Sequence, residues 1–131
     1  MANISAYGAK AQLDWYLGGA TPTRPTVWGI NIGLVAPNST NGSEIATGSG
    51  MTRQTVAWSA AGSPANTAGN SNAATLGPIS AAATIIGIQL WDTLAATVGN
   101  MLEYGTLATS RTMGIGDSLV FNIGALQISL V

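Results

Sequence analysis

The side chains that could carry out acid–base or nucleophilic chemistry are few in this chain. Its 131 residues contain five Asp or Glu and four Lys or Arg, with no His and no Cys. General acid–base catalysis relies on His or on carboxylates placed near one another, and a Ser nucleophile relies on a neighbouring base. The sequence therefore predicts no catalytic residue, and it lacks thiolate and imidazole ligands for a metal ion.

The carboxylates are interpreted as structural groups. Asp92 and Asp117 lie in predicted turns, where an Asp side chain accepts hydrogen bonds from nearby backbone amides. Glu103 lies within a predicted strand, and we expect it to face solvent or a neighbouring subunit. The Gly-rich sequences at 48–50 and 114–116 lack the Lys and the helix that follow a phosphate-binding loop. We expect no cofactor and no metal ion.

The charge pattern argues against two classes of partner. Charged residues make up 7% of the chain, against about 25% in a typical domain. The four cations are scattered, whereas nucleic-acid binding needs clustered ones. The most apolar stretch, at 79–91, is shorter than the ~20 residues of a membrane-spanning helix. We therefore expect neither nucleic acid nor a membrane as a direct partner, and a surface so poor in charge is typical of a subunit packed into a larger assembly.

Hydrophobic periodicity predicts an all-β domain that follows a short N-terminal helix. Asn3 or Ser5 can cap this helix, and Gly18 and Gly19 mark its end. Alternation of apolar residues with Gly and Asn predicts a half-buried strand at 28–34. Further strands are predicted at 52–59, 73–79, 84–91, 101–107, 109–112, 119–123 and 126–130. This pattern of seven or eight short strands predicts a jelly-roll-like β-sandwich in one domain, 1–131, with a helical arm at 1–19 and the sandwich at 26–131.

The aromatic residues divide into core and surface candidates. Trp28 and Trp58 share predicted strand faces with aliphatic residues, so we expect them to pack inside. Tyr7, Trp15 and Tyr16 lie on the N-terminal segment and are the better candidates for a contact between subunits. The N-terminal segment is therefore predicted to be an interaction element.

Two arginines and two loops complete the predicted interaction residues. Arg24 and Arg53 are predicted to make polar contacts to a partner, with the alternative that Arg53 pairs with Glu44 on the domain surface. The long polar stretches at 36–50 and 60–72 are predicted to contribute further contacts, since long loops in compact domains are usually functional.

Several sequence elements together resemble a family of small structural proteins of tailed bacteriophages. The most distinctive are the Gly-x-x-Arg-Gln sequence at 50–54 and the Gly-Asp turn at 116–117 with its closing hairpin. The other matching stretches are 17–19, 44–58, 87–92, 99–107, 116–121 and 124–128. Met51, where the family commonly has an aromatic residue, and the longer turn at 89–92 depart from the family pattern.

The resemblance implies a virion structural protein without catalytic residues. The leading interpretation is a capsid decoration, or cement, protein, made in the host cytoplasm and bound to the outer surface of the icosahedral head. It would bind the major capsid protein as a homotrimer or homodimer and stabilise the expanded shell by bridging capsomers. A tail or tail-fibre component is the alternative, and the absence of a shaft or repeat region in this sequence favours the head. A carbohydrate-binding jelly-roll module, using exposed Trp side chains, is a further alternative.

Overall fold

One α-helix precedes most of the strands, and its ends lie where the sequence places them. The computed structural model describes residues 3–40, 51–62, 66–96 and 98–129, and in it α1 covers Ala6–Leu17. The Ser5 side chain caps α1 by accepting a hydrogen bond from the Gly8 amide at 2.9 Å. Gly18 ends α1 in the left-handed conformation, with φ of 70°. No helix among the described residues is long and apolar enough to span a bilayer.

The strands of the described residues form one larger sheet and two ribbons. They are β1 (Asn3–Ile4), β2 (Gly29–Gly33), β3 (Gln54–Thr55), β4 (Thr67–Gly69), β5 (Ala74–Leu76), β6 (Ala83–Trp91), β7 (Met101–Met113), β8 (Leu119–Phe121) and β9 (Gln127–Ser129). A five-stranded sheet has the order β1-β7-β6-β2-β3, and the ribbons are β4-β9 and β5-β8. The predicted all-β fold with a short N-terminal helix is confirmed, and its finer likeness to a jelly roll stays a prediction.

The hydrophobic core lies where the large sheet meets the two ribbons. In the antiparallel register of β2 and β6, Ile30 lies opposite Leu90 and Ile32 lies opposite Ile88. These residues join aliphatic side chains from both ribbons and the connecting segments. The buried members are Ile30, Ile32, Met51, Val56, Ala74, Leu76, Ile79, Ile85, Leu90 and Met113. Trp28 and Trp58 pack against this core, as predicted, and both are half-buried.

The prediction that β2 is buried on one face only is wrong, because all five of its residues are buried. A Cβ atom on Gly29 would lie 2.7 Å from the Thr93 carbonyl oxygen, and one on Gly87 would lie 2.5 Å from Pro37 Cδ. Loops therefore lie directly on the face opposite the core, and glycine provides the space for them. The Ile residues of β2 therefore face the core, and the Gly residues that alternate with them face these loops rather than solvent.

Strand lengths also differ from those predicted. The strand expected at 52–59 is reduced to Gln54–Thr55, and the two expected at 101–107 and 109–112 are one strand, β7. The pairing of β7 with β6 is interrupted, because Gly87 lies opposite Thr106 whereas Ile85 lies opposite Arg111. The break that the sequence pattern predicted between two strands is therefore a local irregularity in the pairing of one continuous strand.

Gly8 sets how closely α1 approaches β7. A Cβ atom at this position would lie 2.6 Å from the Leu102 carbonyl oxygen, which is closer than van der Waals contact allows. Ala is favoured over Gly inside a helix by about 1 kcal/mol, but this clash forces α1 and β7 apart. We expect Gly8→Ala to lower the free energy of unfolding by about 1–2 kcal/mol in urea denaturation. The exposed α1 position Gln12→Ala is the control, and a stabilising Gly8→Ala would contradict the contact.

Candidate functional site

A groove lies between α1 and the chain segment that leads to β2. It encloses about 390 Å³. Its walls combine aromatic, proline and a few polar side chains. The lining residues are Tyr7, Ala11, Gln12, Trp15, Pro22, Thr23, Arg24, Pro25 and Leu102. Pro22 and Pro25 keep the segment facing α1 extended, because proline restricts both its own backbone and that of the preceding residue.

Three of the five predicted interaction residues line this groove, and a fourth contacts one of them. Tyr7, Trp15 and Arg24 line it. Tyr16 packs edge-on against Trp15, with ring centroids 5.0 Å apart. Trp15 and Tyr16 remain 63% and 75% exposed. Tyr7, Ala11 and Trp15 share one face of α1 because they are four residues apart, and the proline-containing link brings Arg24 to the same place.

Arg24 supplies the charge of the groove. Its guanidinium carbon lies 5.6 Å from the centroid of the Trp28 ring, within the range of a cation–π contact. The other cation on this side of the molecule, Lys10, pairs with Asp14 one helical turn away. Arg24 is therefore the charged residue that a ligand in the groove meets.

Three more apolar side chains of α1 are exposed outside the groove. Leu13, Tyr16 and Leu17 are each more than half exposed, and their spacing places them side by side on the helix. We call the groove and these three side chains together the α1 surface. Exposed apolar patches of this kind mark interaction sites, and Trp, Tyr and Arg are the residues that most often dominate binding energy.

Arg53 does not lie at the surface, which corrects its prediction as a partner contact. It is 4% exposed. Its Nη1 donates hydrogen bonds to the carbonyl oxygens of Thr93, Ala95 and Val98, at 3.3, 2.7 and 2.8 Å. Its guanidinium carbon lies 3.8 Å from the centroid of the Trp91 ring. Arg53 thus fixes the loop between β6 and β7 from inside the molecule.

Two of the sequence predictions concern residues outside those that the structure describes: the alternative partner of Arg53 and parts of the predicted contact loops. Glu44 lies outside the described residues, as do 41–50 and 63–65. The α1 surface is consequently the candidate site that the described residues form.

Comparison with known proteins identifies the family of the chain. A family model described as podophage GP4 fiber I protein gp80 matches residues 3–129. The chain belongs to this family. The match includes α1, every strand and the whole α1 surface, and it confirms the resemblance to phage structural proteins. The chain is a virion structural protein related to fibres, and no curated protein matches it.

Two carboxylates of this fiber I family member stabilise turns, as the sequence predicts. Asp92 accepts hydrogen bonds from the backbone amide and the side-chain amide of Asn100, at 2.7 and 2.8 Å. Asp117 accepts one from the Gly114 amide at 2.7 Å. In the part of the chain that the structure describes, no three His, Cys, Asp or Glu side chains gather into a metal-binding set.

A second concavity, the β7 cleft, lies between the large sheet and the β4-β9 ribbon. It encloses about 60 Å³. Its walls are mainly aliphatic and aromatic, and they include one acidic residue, Glu103. The lining residues are Ile30, Trp58, Ile88, Gln89, Leu90, Glu103, Tyr104, Gly105, Leu126, Gln127 and Ile128. Burial raises the pKa of Glu103 from 4.5 to about 7. Sequence reasoning missed this cleft, because part of its wall, Leu126, Gln127 and Ile128, comes from β9 and the residue before it, far along the chain from Glu103.

The raised pKa of Glu103 predicts a pH-dependent stability. The folded chain holds this proton more tightly than the unfolded chain, so stability is greatest below pH 4.5 and falls as the pH rises through about 7. The whole pKa difference would correspond to about 3 kcal/mol. Because Glu103 is only partly buried, solvent screening reduces the expected change between pH 5.5 and 8 to about 1–2 kcal/mol. Urea denaturation at both pH values should show this change in the wild type but not in Glu103→Gln, and an equal change in both chains would contradict it.

Proposed function

We propose that this chain is a structural subunit of a virion fibre assembly and attaches to a neighbouring virion protein through the α1 surface. The observation that carries the proposal is the aromatic groove, together with the further exposed apolar side chains of α1, found on a member of a phage fibre family. The role requires binding and rigidity, and we assign no catalytic activity to the chain.

The chemistry of the α1 surface suits binding to another protein. Trp15 and Tyr16 offer large, stiff side chains that lose little conformational entropy on burial. The groove carries a single charged residue, Arg24, so few charges have to be desolvated when a partner covers it. Arg24 can pair with an acidic group at the rim of the interface, where it would orient the partner.

A capsid decoration protein is the second candidate function. In it, the α1 surface would bind the major capsid protein on the outer face of the head, and homotrimers or homodimers would match the symmetry axes of the shell. The observation that favours this role is the low share of charged residues, 7% of the chain, which suits a subunit packed against a shell. Such a protein stabilises the shell by mass action, since it binds the assembled lattice and not the free subunits.

Immunogold electron microscopy of intact particles tests the proposal. An antibody against this chain should label the tail fibres or their attachment points. Label spread over the faces of the head would overturn the fibre assignment in favour of decoration. Particles without label, from a lysate that contains the chain, would overturn both roles.

A further inference from the structure

The β7 cleft places one acidic residue, Glu103, in a wall that is otherwise uncharged and mostly apolar. In the sheet register, Glu103 lies opposite Leu90 on one side and Ile4 on the other. The facing wall includes Leu126 and Ile128. Among the described residues, none donates a hydrogen bond to the Glu103 carboxylate or forms an ion pair with it. The described residues therefore leave this charge uncompensated, although burying a carboxylate without a partner is unfavourable.

We propose that the β7 cleft receives the basic side chain of a neighbouring protein chain, a Lys or Arg whose apolar stem lies on the aliphatic wall and whose charged head pairs with Glu103. The inference goes beyond docking through the α1 surface and does not depend on it. Leu102 lines the groove and Glu103 lines the cleft, and consecutive residues of a strand point to opposite faces of the sheet.

The composition of the cleft selects this class of ligand. A positive charge close to Glu103 favours its ionised form and offsets the cost of burying it. Trp58 adds an aromatic ring, which attracts ammonium and guanidinium groups. A hard metal ion prefers several carboxylate or carbonyl oxygen ligands, and the cleft offers one carboxylate beside two neutral Gln residues and mostly apolar side chains. Lys and Arg combine an apolar stem with a cationic end, as these walls require.

Other titratable groups near Glu103 are few. Tyr104 is the only other one among the lining residues, which come from β2, β6, β7, β9 and the segments next to them. The helix α1, which also packs against β7, carries Tyr7, Lys10 and Asp14, and none of these lines the cleft. The ionisation of Glu103 should therefore dominate the pH dependence of binding in the cleft.

The test is an NMR titration of the full chain with N-acetyl-lysine methylamide at pH 5.5 and 8.5. The reporters are the Glu103 side-chain carboxyl carbon and the Trp58 indole signal. Because only ionised Glu103 accepts the cation, the apparent affinity should be roughly thirty-fold weaker at pH 5.5. In Glu103→Gln this pH dependence should disappear. In the control Asp14→Asn, which removes a carboxylate elsewhere, it should remain.

A neutral probe separates charge from simple apolar contact. N-acetyl-norleucine methylamide has a similar stem without the ammonium group. The proposal requires that it bind more weakly than the lysine probe at pH 8.5. Equal binding of the two probes, the same pH dependence in Glu103→Gln, or no binding of the lysine probe would each overturn it. The α1 surface is intact in all of these experiments, so such a failure leaves the proposed fibre role standing.

Discussion

Replacing Arg53 with Met is expected to lower the free energy of unfolding by about 3 kcal/mol. The substitution keeps most of the side-chain volume but removes the donor that three carbonyl oxygens of the β6–β7 loop share. It also removes the cation that lies against the Trp91 ring. Because the loop is held from inside the molecule, it cannot turn these carbonyl groups to water without opening. Urea denaturation followed by Trp fluorescence measures the effect.

The matched control for this prediction is Arg111→Met. Arg111 is exposed, and the structure gives its side chain no hydrogen bond or ion pair with the described residues. The same chemical change should therefore alter stability by no more than about 0.5 kcal/mol. Similar small losses in both variants would show that the Arg53 contacts contribute little. Anchoring of the β6–β7 loop would then not explain why the Gly-x-x-Arg-Gln sequence, which supports the family resemblance, contains an arginine.

Features set by neighbouring residues were predictable from the sequence. Ser5 and Gly18 mark the ends of α1 because capping depends on residues within one turn of each end. Asp92 and Asp117 stabilise turns for the same local reason. Tyr7 and Trp15 share a helix face, so their meeting in one groove followed once α1 was recognised.

Features set by distant residues were not predictable. The carbonyl groups that receive Arg53 lie 40 to 45 residues along the chain, and an arginine met in a sequence is more often exposed than buried. The alternation in β2 resembles that of a half-exposed strand, and only the loop carrying Pro37 shows what covers the second face. Glu103 could not be placed beside Leu126 and Ile128 before the β4-β9 ribbon was located.

Replacing Trp15 with Ala should abolish most of the binding to virion particles and leave the fold intact. Trp15 is largely exposed on α1, so the substitution costs little stability, and Ala favours the helix. A tryptophan at the centre of an interface contributes about 2 kcal/mol or more when a partner covers it. We therefore expect at least a thirty-fold weaker association, measured by co-sedimentation with particles that lack this protein. The melting temperature should stay within a few degrees of the wild type.

A point substitution is a sharper test of the α1 surface than removal of residues 1–19. That deletion would also remove β1, which pairs with β7, and the Ser5 cap with its bond to the Leu102 carbonyl. Loss of attachment would then report damage to the sheet as readily as loss of a contact. Ile123→Ala is the matched control, because Ile123 is 69% exposed but lies outside the α1 surface. If both variants bind particles as the wild type does, attachment depends on another part of the chain. If only Ile123→Ala weakens binding, the interface lies near the β8–β9 turn.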